Sequence, residues 1–197
     1  MVQKPLLLLI VIVWSTVFGS SLVWAEDYAY QGKVEGMVCT FCVYNVSKKI
    51  AALPSVDAQS VNVDLNTGHV DIKATAKIDK AAVSSVFSDS GFTLVEFKEV
   101  AYSNLSPVSF SSEPLIALRF SSTAIDQMDA VLDAIGTLAA SRTSQLSISA
   151  PETAEIDILK PILAGRKSVI KVHFLPAKGN EVQLKLFSAV SANTGAE

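Results

Sequence analysis

Gly36-Met37-Val38-Cys39-Thr40-Phe41-Cys42, running into Val43-Tyr44-Asn45-Val46-Ser47-Lys48-Lys49-Ile50, is the stretch on which the fold turns. Before it, residues 29–35 read as a strand. From Thr40 onward the apolar positions recur at helical spacing and predict a helix over 40–52, with Cys42, Val46, Ile50 and Leu53 on one face. Pro54 ends it. Both cysteines therefore stand where a strand hands over to a helix, and Gly36 gives the connecting loop backbone freedom that a side chain would remove.

Working outward, Val61, Val63 and Leu65 alternate with polar residues, as do Val70, Ile72 and Ala74, which predicts two strands. Asn66-Thr67-Gly68 between them suits a tight hairpin connection. A second helix is expected over 79–88, offering Ile78, Ala82, Val83, Val86 and Phe87 to a core. Gly91 fits its C-terminal cap, and a last strand follows over 92–97. The order β-α-β-β-α-β is the split pattern of ferredoxin-like α+β folds. Residues 101–114 (AYSNLSPVSFSSEP) hold five serines and two prolines without a period and read as a linker. A second small α/β unit is expected over 115–187. Its strands are placed at 115–120, 145–149, 168–175 and 181–187, the last two pairing around Lys178-Gly179-Asn180. Its helices are placed at 124–138 and 152–163, the first with Ile125, Met128, Leu132 and Ile135 on one face. Residues 188–197 read as a frayed tail.

Composition narrows the function classes. The chain has 197 residues, half of them apolar, 18% charged, with a net charge of −3. That apolar share excludes a disordered chain. An acidic balance, with pI about 5.4, lacks the basic footprint that nucleic acid requires. Two cysteines cannot make a disulfide-rich scaffold. Part of the mean hydropathy of +0.39 is concentrated at the start, where Lys4 precedes Leu6–Val13 (LLLLIVIV) and no charge occurs from Pro5 to Ala25. Gly19-Ser20-Ser21 and then Val23-Trp24-Ala25 complete the pattern of a secretory signal peptide over 1–25, which implies a periplasmic or secreted protein. The alternative is an uncleaved membrane anchor, since 21 uncharged residues are just long enough to span a bilayer.

Cys39 and Cys42 are the only chemical constellation in the chain. Thiolates favour soft cations, and a helix N-terminus lowers thiol pKa. Zinc prefers four ligands, and the remaining candidates, His69 and His173, are remote in sequence. The ligand supply suits a two-coordinate soft ion. No serine-histidine-acid set, paired carboxylate, phosphate-cradling loop or basic-aromatic stripe can be assembled, so the residues do not suggest an enzyme.

The loop together with this element order resembles the heavy-metal-associated domain family, whose signature is a Gly-Met-x-Cys-x-x-Cys loop opening the first helix of a βαββαβ fold. The resemblance covers about residues 28–99. It implies that Cys39 and Cys42 bind the metal, that Met37 packs beneath the loop as support, and that Phe92 shields the site. With the export signal it implies a member similar to periplasmic mercury- or copper-binding proteins. Such a protein would take Cu(I), or alternatively Hg(II), and exchange it with a metal donor or acceptor such as a membrane transporter. Val38 stands where the family commonly has threonine, serine or histidine, and Thr40-Phe41 is not its commonest inter-cysteine pair. Both departures bear on which metal is chosen. The second unit has no cysteine and is outside the resemblance.

Rival readings use the same residues. Cys-x-x-Cys at a helix start also serves thiol-disulfide exchange, although the aromatic-Cys-Gly-Pro-Cys motif is absent, and the pair can close into a disulfide on oxidation. The second unit could instead carry the function as a partner-binding adaptor, or the domain could be degenerate. His69 and His173 read as strand positions, Met128 as core, and Lys48 and Lys49 as a solvated helix face or a contact for an acidic partner. Asn45-Val46-Ser47 and Asn104-Leu105-Ser106 match the glycosylation pattern in form only.

Overall fold

The computed structural model describes residues 27–105, 108–166 and 168–190. The expected signal segment over 1–25 and the tail from 191 lie outside them. Among the described residues no helix is long and apolar enough to cross a membrane.

The first unit runs β1 (Tyr28–Glu35), α1 (Thr40–Ala51), β2 (Asn62–Val63), β3 (His69–Ala74), α2 (Lys80–Ser88) and β4 (Thr93–Val100). Its sheet is antiparallel in the order β2-β3-β1-β4, as the βαββαβ pattern requires. Alternation puts Tyr30, Val34, Val70 and Ile72 on the face covered by the helices, where Val43, Val46 and Ile50 of α1 meet Val83 and Phe87 of α2. The Asp64 carboxylate accepts the Asn66 and Thr67 N–H groups at 2.9 and 2.7 Å and folds the hairpin tip. Asp79 caps α2 by accepting from the Ala81 N–H at 2.9 Å. At its other end Gly91, at φ +83, donates to the Ser88 carbonyl at 3.0 Å while Phe92 donates to the Phe87 carbonyl at 2.9 Å. These paired bonds are the glycine-terminated stop that the sequence suggested.

The second unit runs β5 (Ser109–Phe110), β6 (Ile116–Ser121), α3 (Ile125–Ala140), β7 (Ser144–Ala150), α4 (Glu155–Leu163), β8 (Lys171–Pro176) and β9 (Glu181–Val190). Three sequence expectations change here. Ser109–Phe110, read as linker, pair with Ala189 and Val190 in the second sheet. That pairing also carries β9 three residues into the expected tail. Most importantly, β8 and β9 do not form a hairpin. β7 lies between them, parallel to β8 and antiparallel to β9, in the order β5-β9-β7-β8 with β6 also on β9. Helix α4 returns the chain to the neighbour of β7, as a βαβ crossover does, and so fills the slot beside it. The turn through Gly179 then crosses the end of β7, where the Ala177 N–H donates to the Ala150 carbonyl at 2.8 Å.

Helices α3 and α4 cover one face of this sheet. Leu132, Ile135, Ile158, Leu159 and Ile162 pack on Leu146, Ile148, Leu184 and Leu186. The two helices touch backbone to backbone at Gly136, where an added Cβ would lie 2.3 Å from the Ile162 carbonyl oxygen and 2.9 Å from an Arg166 guanidinium nitrogen. Gly136→Ala is therefore expected to push the helices apart and lower stability by about 1–3 kcal/mol. The check is a shift of the denaturation midpoint at unchanged m-value.

Candidate functional site

The loop begins at a bulge between Lys33 and Val34 in the β1–β4 pairing, which turns the end of β1. Val34 stays buried, Gly36 takes φ +94, and the backbone passes close to Gly91-Phe92, since a Cβ on Gly36 would lie 3.7 Å from the Phe92 ring. Met37 and Phe92 are half-buried against the first core. Val38, the residue before the first cysteine, is 85% exposed.

Cys39 is the N-cap of α1, with extended backbone, and its Sγ accepts the Cys42 N–H at 3.1 Å. A sulfur thus takes the role that serine or aspartate oxygen usually plays, facing the free N–H groups of a helix start, where negative charge is favoured. The two cysteines have their Cα atoms 5.2 Å apart and are joined as a disulfide. Holding an ion between the sulfurs requires two-electron reduction first. Among the described residues no group of three or more His, Cys, Asp or Glu could hold a metal ion.

Sequence reasoning missed what surrounds the pair. The expected core face of α1 included Cys42; the structure instead buries Val43, Val46 and Ile50 in the first core and leaves Cys42 only half-buried. A second face, Thr40, Phe41 and Tyr44, belongs to the other unit. Thr40, 3% exposed, donates its hydroxyl to the Arg166 carbonyl at 2.7 Å. Phe41 and Tyr44 join the second core, their rings tilted at 6.2 Å. The Tyr44 hydroxyl donates to Glu155, a carboxylate 8% exposed, and Lys48 pairs with the same group at 2.6 Å. Burial, then the hydrogen bond and charge of Glu155, push the Tyr44 hydroxyl pKa up, which keeps it a donor. The acidic partner considered for Lys48 is thus supplied by this chain, while Lys49 reaches Ser90. The signal available in the sequence was a Thr40-Tyr44-Lys48 stripe at i, i+4, i+8, half-apolar and easily taken for solvated.

His69 stands exposed at the start of β3. Met128 packs against the second core, as expected. His173 lies on β8 and lines a cavity of about 190 Å³ between the units with Val43, Tyr44, Val172 and Phe174. Neither this cavity nor the larger polar cleft bordered by Asp71, Lys73 and Arg142 is lined by Cys39 or Cys42.

Residues 33–93 match the family described as heavy-metal-associated domain. A solved structure of the N-terminal domain of ZntA in the apo form is similar at 24% identity and TM-score 0.32, covering 40% of this chain and 99% of that one. The N-terminal soluble domains of Bacillus subtilis CopA are similar at 13% identity and TM-score 0.33, covering 87% and 84%. No curated protein matches the chain.

One titration follows from the cavity. Burial first, and the Lys171 ammonium second, hold the His173 pKa below its ordinary 6.5, against a smaller opposite pull from Asp57. As pH falls, the unfolded chain therefore takes up the His173 proton before the folded chain does. Its stabilising contribution is therefore full above about pH 6.5 and is lost as pH falls through and below that value. Denaturant midpoints at pH 8 and pH 5.5 should show this decline, and His173→Gln should shrink it.

Proposed function

We propose, from the premise that residues 33–93 form a heavy-metal-associated domain, that this chain is an exported metal-binding protein that holds one soft ion between Cys39 and Cys42 and hands it on. The single observation carrying this is the pair itself: two cysteine sulfurs at a helix N-terminus, with no cluster of three or more His, Cys, Asp or Glu among the described residues. Two thiolates match the low coordination of Cu(I), the favoured cargo, or Hg(II), and fall short of the four ligands of a closed zinc site. Export is read from the Leu6–Val13 run and the Val23-Trp24-Ala25 ending.

Low coordination also supports transfer by ligand exchange. A thiolate of a partner forms a bond to the ion, a three-sulfur species follows, and one of the bonds to Cys39 or Cys42 breaks. The second reading, a thiol-disulfide protein, is favoured by the joined state of the pair. Reduction of a disulfide substrate with turnover would mark that reading; ion retained through purification under reducing conditions would mark the first.

Titrating the reduced full chain with Cu(I), Hg(II) and Zn(II) against a competing chelator is the direct test. Cys39→Ser and Cys42→Ser should each weaken Cu(I) binding at least ~100-fold while circular dichroism stays unchanged, since each removes one of only two ligands. Wild-type affinity in either variant would sink the assignment.

A further inference from the structure

Both residues between the cysteines are held by the second unit. Thr40 and Phe41 are absent from the first core, and their contacts run to the Arg166 carbonyl and to the second core. The anchor is itself fixed. Arg166 bonds the Asp133 carboxylate and carbonyl at 2.6 Å each, beside the Gly136 contact of α3 with α4. One and two turns along α1, Tyr44 and Lys48 converge on the buried Glu155 and hold the helix to the same unit. Yet that unit brings no cysteine to the loop.

We propose that Thr40 and Phe41 are positioning residues through which the second unit holds the sulfurs of Cys39 and Cys42 close together, so that ring closure by the pair depends on a unit that donates no ligand. Closing the pair, by a disulfide or around an ion, removes freedom from the residues between the sulfurs. Fixing one residue's backbone costs about 1–2 kcal/mol. With Thr40 bonded and Phe41 packed, much of that ordering is already complete in the open dithiol, which raises the effective concentration of one sulfur at the other. Releasing the anchor should therefore weaken the disulfide and the chelated ion alike. Linkage makes the effect reciprocal: a closed pair tightens the docking of the second unit on α1.

Only the metal arm of the test rests on the reading of the preceding subsection; the thiol-disulfide arm stands without it. The full chain is equilibrated in glutathione buffers. Oxidation there joins the two sulfurs, passing two electrons and two protons to one glutathione disulfide and releasing two glutathione thiols. Thr40→Val deletes the hydroxyl at near-constant shape, and Thr40→Ser keeps it. One hydrogen bond corresponds to roughly 5-fold in an equilibrium constant. Thr40→Val should shift the pair about 5-fold toward the dithiol, ~20 mV more positive for two electrons, and weaken Cu(I) by a similar factor. Thr40→Ser should stay within about 2-fold of wild type. Should Thr40→Val fail to fold, Phe41→Leu carries the same test with the same sign.

A lowered melting temperature in Thr40→Val with both equilibria at wild-type values would make the anchor merely structural and overturn the proposal. An equal shift in Thr40→Ser would do the same. A wild-type chain that takes no Cu(I) defeats the metal reading, while the glutathione equilibrium still decides this one.

Discussion

Helix α1 must bury two faces at once, and the arrangement of the molecule depends on that constraint. Val43, Val46 and Ile50 close the first core, while Phe41 and Tyr44 enter the second. Each large apolar side chain so buried is worth about 1.5–3 kcal/mol, so neither face is a casual contact. The consequence for chemistry is positional. The cysteine pair opens this helix, hence whatever places the helix also places the sulfurs. The polar groups on the second face obey the same logic, since Glu155 is tolerable below 10% exposure only because the Tyr44 hydroxyl and the Lys48 ammonium both reach it. The ion pair itself is a weak stabiliser, being half-open on the lysine side.

The first unit was legible because its signals are local. Alternation in 61–65 and 70–74, the hairpin at 66–68, the helix over 79–88 and the Gly91 stop each rest on signals within a few residues, and each appears in the structure near its expected place. β2 is shorter than its alternation suggested, two residues instead of five, because only Asn62 and Val63 pair with β3. The second face of α1 was not legible, for a reason that is equally physical. A threonine, a tyrosine and a lysine at helical spacing look solvated until their partners are known, and those partners, Arg166 and Glu155, lie more than one hundred residues downstream. The misplaced β8–β9 hairpin has the same origin. Alternation reports that a segment is a strand and which side faces inward, but the identity of its neighbour is settled by the α4 crossover, which no property of 168–187 encodes.

These two misses together bear on the proposed chemistry. If the second unit were an independent module on a flexible connection, the cysteine pair would answer only to its own loop. The structure makes the connection part of the second sheet through Ser109–Phe110, and makes the start of α1 part of the second core. On the proposed reading, a unit without cysteine can then act on the Cys39–Cys42 loop without competing for the ion. On that reading a third donor would deepen the site and slow ligand exchange, the opposite of what the proposed carrier needs. Supplying a backbone carbonyl to Thr40 and an apolar seat to Phe41 changes the freedom of the loop and leaves its two-sulfur ligand set untouched. On the proposed reading, both parts of the chain therefore act on affinity, by different routes. The ligand count is a property of the loop, and the ordering of that loop is a property of the unit packed against its helix.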